Sequence, residues 1–301
     1  MKKSTKFTVF ARRFSPILGG PVAIALMVGV SGCGGSDDPE TTVTKVTYQS
    51  LDPVKPLTVP AEFRQPEGKS VPAVVIVHGS SGIDSRGISY AKELNQAGIA
   101  TFEIDLWAAR GITGPAGRPR SVPETLPDAY GALKYLSNQP NIDAKRIGIM
   151  GFSWGGVVSM LTATDPYTKL YMNGTNLAFA AHAPNYPVCW VYNNGIVPGY
   201  EFKAFTGKKI FVQGGDLDTY DLPGTCPALA ASVETLAPGL LSVKMYAGAT
   251  HGFDRTEPTI TINDPFAHLD RGGEVEMTPN LEVAAKARAA TVAFFRAQFG
   301  M

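Results

Sequence analysis

The 301-residue sequence reads as an α/β protein, a mostly parallel sheet with helices on both faces. Two observations carry that expectation. Near-continuous apolar runs of strand length recur along the chain, as strands buried on both faces require. Segments with helical spacing separate them, which is how parallel neighbours are connected. No internal repeat or composition break divides the chain after residue 45, so residues 46–301 are expected to form a single domain.

Each element has its own signal. Residues 71–78 (VPAVVIVH) are apolar and β-branched, hence a strand. Residues 90–97 (YAKELNQA) read as a helix that stops at Gly98, and residues 99–106 (IATFEIDL) as the next strand. The segment 124–138 is amphipathic, with Ala129, Ala132, Leu133 and Leu136 on one helical face. Residues 146–150 (RIGIM) form a strand that enters a glycine-rich turn, and a helix follows over 155–162. Three more strands are expected at 177–182 (LAFAAH), 209–213 (KIFVQ) and 241–246 (LSVKMY), before a long helix over 281–299.

Composition excludes several classes. With 44% hydrophobic residues and a net charge of +1, the chain is too apolar for disorder and lacks the basic excess of a nucleic-acid binder. The near-zero charge is an average. Residues 1–32 hold Lys2, Lys3, Lys6, Arg12 and Arg13 and no acid, so the remaining 22 basic and 26 acidic residues sum to −4. These cations precede an apolar stretch, residues 16–30, that is short for a membrane span and ends in small residues. That layout is a secretory signal. The junction Val30-Ser31-Gly32-Cys33 resembles a bacterial lipobox. The resemblance implies cleavage after residue 32 and acylation of Cys33. With Gly34 following, it implies a lipoprotein exported to the outer membrane, held by residues 33–45 as a flexible tether. Cys189 and Cys226, left in an oxidising compartment, are expected to pair as a disulfide. Their spacing fits no zinc-ligand pattern, and no metal or cofactor is expected.

The chemistry sits at Gly151-Phe152-Ser153-Trp154-Gly155, a G-x-S-x-G segment between a strand and a helix. A sharp turn there strains the middle residue and demands tiny neighbours on either side. Ser153 would stand at a helix N-terminus, where N–H groups face any developing negative charge. A serine needs a positioned base. Its partners follow an elbow of this kind in the order acid, then histidine. His78 and His182 come too early, and His268 sits in a loop with no strand before it. His251 follows the strand 241–246 and is the expected base. For the acid, Asp218 is preferred on its spacing from Gly215; Asp216 and Asp221 are the alternatives, and the two not used would be solvated loop carboxylates. The loop His78-Gly79-Ser80-Ser81-Gly82 would supply one oxyanion N–H, from Ser80 or Ser81, and Trp154 the other. His78 is expected to brace that loop. Trp107, Trp154, Tyr186, Trp190 and Tyr220 fall where aromatic walls of a substrate pocket would be.

Taken in order, VVIVHGSSGI, DLWAARG, RIGIMGFSWGG, GGDLDTYDLP and AGATHGFDR resemble the dienelactone hydrolase family, over roughly residues 60–300. The resemblance implies an α/β-hydrolase fold, a single catalytic domain and a triad at Ser153, Asp218 and His251. Family namesakes use a cysteine nucleophile and a glutamate in the loop after the first core strand; here the positions hold Ser153 and HGSSG. This favours an ordinary serine hydrolase acting on small-molecule carboxylic esters. The family's arginine four residues after the histidine falls on Arg255, and Arg110 is expected near the same pocket, which would suit carboxylate-bearing esters; the alternative for Arg255 is a salt bridge to a nearby acid. The alternatives are an oligopeptidase-like or thioester hydrolase with the same triad and, last, a non-catalytic surface binding protein.

Overall fold

The computed structural model describes residues 40–301. The expected signal segment and Cys33 lie outside the described residues. One eight-stranded sheet forms the core, in the order β1-β2-β4-β3-β5-β6-β7-β8. Strands β3 (Val71–Val77), β4 (Ala100–Ile104), β5 (Ile142–Phe152), β6 (His182–Asn185), β7 (Ile210–Gly215) and β8 (Leu241–Tyr246) run parallel. At one edge β1 (Thr41–Gln49) and β2 (Thr58–Pro66) pair antiparallel, and β2 joins β4 antiparallel.

Alternation along β3 explains the two layers. Val75 and Val77 enter one core with Leu126 and Leu133 of α2 (Leu126–Ser137), Val158 of α3 (Trp154–Leu161) and Leu229 of α5 (Thr225–Leu236). Val74 and Ile76 enter the other, with Leu94 of α1 (Ser85–Gln96) and Phe295 of α7 (Leu281–Phe299). A shorter helix, α4 (Asp165–Met172), follows α3.

Three boundaries differ from expectation. The last five residues of the expected tether already belong to β1, because Thr41–Lys45 pair with Glu62–Pro66. The strand expected at 177–182 is displaced: β6 begins at His182, while residues 177–181 approach β5 through isolated bonds such as Ala180 N–H to Ile147 O (2.7 Å). Helix α1 starts five residues earlier than expected, since Asp84 caps it by accepting from Arg86 N–H (3.1 Å).

Beyond β8 the chain adds an antiparallel hairpin, β9 (Ile260–Asp264) and β10 (Gly273–Met277). Its connection passes through a turn, α6 (Ala267–Asp270), in which His268, Leu269 and Asp270 have φ of 51°, 60° and 69°. Among the described residues, no helix is long and apolar enough to cross a membrane.

Candidate active site

The carboxyl ends of β3, β5, β7 and β8 converge on one edge of the sheet. Ser153 follows β5 directly, with φ 52° and ψ −109°, a conformation that costs a non-glycine residue free energy. Glycine is what makes the turn possible. A Cβ on Gly151 would lie 2.2 Å from Gly155 O, and one on Gly155 would lie 2.1 Å from Val77 O. The turn is held by Ser153 N–H to Asn185 O (3.0 Å) and Gly155 N–H to His78 O (3.1 Å). Trp154 opens α3, so its own N–H has no partner within the helix.

The loop after β3 is braced as expected. Gly82 N–H donates to Gly79 O (3.0 Å), closing a turn around Ser80 and Ser81. Burial pushes the His78 imidazole below its usual range, and the neutral ring serves both ways. Its Nε2 accepts from Leu106 N–H (3.0 Å), leaving Nδ1–H to donate to Gly79 O (2.7 Å). Trp107 Nε1–H fixes the Ser80 carbonyl (2.9 Å). Ser80 lines the cavity over the elbow together with Ser153 and Trp154, whereas Ser81 is exposed and lies outside that lining.

His251 and Asp218 meet after β8 and β7. His251 Nδ1–H donates to Asp218 Oδ2 at 2.7 Å, which leaves Nε2 as the acceptor nitrogen. Asp218 Oδ1 is occupied by Tyr220 N–H (2.9 Å). Both partners are buried, and Nε2 is a buried atom with no hydrogen-bond partner among the described residues. The imidazole lies between two tyrosine rings, Tyr220 at 4.4 Å and Tyr186 at 4.7 Å between centroids. Of the other candidate acids, Asp216 accepts from Gly248 N–H (2.7 Å). Asp221 is no solvated carboxylate: it accepts from Cys189 N–H (2.5 Å) and Trp190 N–H (3.0 Å). Burial, reinforced by the charge of Asp218, pushes it up to about 7. Cys189 and Cys226 are joined in a disulfide beside it. Among the described residues these three form the only group close enough to hold a metal ion, and both sulfurs are committed to each other.

The expected arginines are elsewhere. Arg110 points away from the cavity, into a fork of Asp128 Oδ2 (2.6 Å) and Leu106 O (2.9 Å). Arg255 pairs with Glu257 (3.4 Å), which in turn accepts from Ser85 N–H (2.9 Å). Neither lines the cavity; Arg118 and Arg120 do. Of the five aromatics, Trp154, Trp190 and Tyr220 line it, while Trp107 and Tyr186 stand behind it. The hairpin β9–β10 contributes Asp264, Phe266 and, from its turn, Asp270.

A buried network behind His251 was not legible in the sequence. Asp254 is fully buried and accepts from Tyr186 OH (2.5 Å) and Tyr90 OH (2.8 Å). Arg86, also buried, donates to Tyr186 OH (3.2 Å), pairs with Asp84, and stacks over Phe152 (5.2 Å). Only the position of Asp254 in the H-G-F-D segment hinted at it.

Known proteins agree with this architecture. The sequence pattern of the dienelactone hydrolase family matches residues 59–299. An uncharacterized peptidase of Bacillus subtilis, YtmA, is 32% identical over 109 residues, 36% of this chain and 40% of its own length. The chain spans less than half the length of the curated relatives it matches. Esterase 2 of Thermogutta terrifontis, in a form phosphorylated by paraoxon, superimposes with a TM-score of 0.61 at 14% identity, over 83% of this chain and 92% of that one. An esterase of Pyrobaculum calidifontis gives 0.60 at 17% identity, over 87% and 86%. At such identities the likeness shows the fold, a single-domain α/β hydrolase. By the match over most of its length, the chain belongs to the dienelactone hydrolase family.

Proposed function

We propose that this hydrolase cleaves carboxylic esters through an acyl-enzyme on Ser153. The observation that carries the reading is the Asp218–His251 pair, whose Nε2 is buried and unpartnered at the same sheet edge as a serine on a strained elbow. Ser153 Oγ attacks the ester carbonyl while its proton passes to His251 Nε2. Asp218 holds the ring in that tautomer and balances the imidazolium without taking the proton. The oxyanion is received by the N–H groups of Trp154 and Ser80. As the tetrahedral adduct collapses, the alcohol leaves with the proton from Nε2. Water then repeats the sequence on the acyl-enzyme, releasing the acid and restoring Ser153. That two fold neighbours are esterases supports an ester substrate. The peptidase name of YtmA favours a second reading, the same steps on an amide. Export and acylation at Cys33 are part of the proposal, supported by the disulfide.

A fluorophosphonate probe should label the purified chain. Ser153→Ala should abolish labelling and lower kcat on p-nitrophenyl butyrate by a factor on the order of 10⁴ or more. Labelling that survives the substitution would overturn the reading.

A further inference from the structure

The cavity over Ser153 is small, and its walls say what it takes. Its volume is about 140 Å³. A protein cavity of about 150 Å³ lined by aliphatic and aromatic side chains holds one benzene ring. Here the inner wall is of that kind, built by Val122, Val157, Val188, Val191 and Val197, with Phe266 at the rim.

Charge on the lining cancels. Arg118 forms a two-pronged pair with Asp264 at 3.0 Å on each arm, and Asp264 also accepts from Phe266 N–H (2.9 Å) and Tyr220 OH. The remaining charges, Arg120 and Asp270, are of opposite sign and both exposed at the rim, where water screens them. Neither Arg110 nor Arg255 lines the cavity: Arg110 pairs with Asp128, and Arg255 pairs with Glu257 through Nε while its buried Nη1 has no partner among the described residues.

The cavity also lies on a definite side of the reacting carbonyl. Ser153, Ser80 and Trp154 form part of its lining, whereas His251 stands behind Tyr220 and outside it. The alcohol must depart toward His251 Nε2 to receive its proton. The group that stays on Ser153 therefore faces the cavity.

From this geometry we infer that the enzyme selects esters of small, neutral acids, with an acyl group about the size of one aromatic ring or a chain of four to six carbons, and disfavours both long-chain and carboxylate-bearing acyl groups. The inference rests on the ester-hydrolase reading above and departs from what the family resemblance implies about Arg255.

A series of p-nitrophenyl esters with one leaving group tests it on the full chain: acetate, butyrate, hexanoate, benzoate, dodecanoate, and the half-ester of succinic acid with its free carboxylate. Butyrate, hexanoate or benzoate should exceed both dodecanoate and the half-succinate in kcat/KM by about tenfold or more. Val191→Phe should lower the benzoate-to-acetate ratio by filling the wall. Phe266→Ala, at a half-exposed position, should raise the dodecanoate-to-hexanoate ratio by opening the rim. A preference for dodecanoate or the half-succinate, or ratios unmoved by both variants in folded protein, overturns the inference. Fluorophosphonate labelling separates the two levels. A labelled enzyme with the wrong ranking sinks only the cavity assignment, while absence of both labelling and hydrolysis sinks the ester-hydrolase reading with it.

Discussion

Tyr186 is the residue on which the support of His251 turns. Its ring packs against His251, and its hydroxyl is shared between Asp254 and Arg86. Arg86 in turn reaches toward Gly79 of the loop after β3, so one buried side-chain network lies near both His251 and that loop. Tyr186→Phe keeps the ring but leaves Asp254 and Arg86 each short of a partner. The expected stability loss is about 1–3 kcal/mol, as for other buried groups deprived of a hydrogen bond. A fall in kcat of about tenfold should accompany it, because the imidazole loses a fixed neighbour. Tyr90→Phe is the matched comparison. It removes the other hydroxyl from Asp254, but its ring lies on Phe152 and not on His251. Thermal melts should therefore move in both variants and kcat in Tyr186→Phe alone; equal kcat loss in the two would refute a positioning role for Tyr186. A neighbouring acid predicts a pH effect. Asp221 keeps its proton in the fold up to about pH 7, whereas an unfolded aspartate releases it near pH 4. Folding takes up a proton between those values, so this residue's contribution to stability declines as pH rises through that window. Asp221→Asn has no such proton to lose. Its stability relative to wild type should rise by about 1 kcal/mol or more from pH 4 to pH 8, measured by urea unfolding at each pH.

Among the elements, helices α1, α2, α3 and α7 and the strands with apolar runs were legible, and the remaining strands were not. Strands β3, β4, β5, β7 and β8 carry near-continuous or β-branched apolar runs, and their expected positions overlap the observed ones. Strand β1 is the sheet edge and β2 lies beside it with an alternating pattern, and β9 and β10 lie off the sheet altogether, so none has an apolar run to announce it. The segment 177–182 has the composition of a strand, but tertiary pairing begins only at its last residue. The pairing of Asp218 with His251 was legible because strand-turn punctuation is local: Asp218 follows β7 and His251 follows β8. Arg110 was misplaced because spacing does not reveal its competing acid, Asp128, whereas the pairing of Arg255 with Glu257 is the salt-bridge alternative the sequence left open. One element-level prediction concerns the disulfide. It ties the turn Cys189–Val191, whose Trp190 and Val191 line the cavity together with the preceding Val188, to the first turn of α5. Closing a loop of sequence separation 37 is worth about 3–4 kcal/mol in the chain-entropy picture. The double variant Cys189→Ala/Cys226→Ala should lose about that much in denaturant unfolding, and wild type treated with dithiothreitol should approach it. A variant as stable as the oxidised wild type would show that the bond constrains nothing.

For the whole molecule, the charge division and the sheet edge combine into a statement about where the domain sits. The cationic segment 1–32 and the proposed acylation at Cys33 would place the lipid at one end of a connector that stops at Thr41, where β1 begins. Residues 34–40 are only seven, and a chain spans at most about 3.6 Å per residue, so their reach is roughly 25 Å. Had the connector run to residue 45, as its composition suggested, the reach would have been roughly 43 Å. With the proposed lipid on Cys33, the shorter reach would keep the β1–β2 edge close to the bilayer surface. The same export would account for the disulfide, which needs an oxidising compartment to form. These two consequences separate under one substitution. Cys33→Ser should move the protein from the membrane to the soluble envelope fraction, while thiol titration under denaturing, non-reducing conditions still finds Cys189 and Cys226 blocked. Expression of residues 40–301 in a reducing cytosol should expose both thiols, with the lower stability expected of the double variant. Membrane association that persists in Cys33→Ser would remove the lipid anchor from the proposal. Free thiols in the exported protein would remove the link between export and the bond.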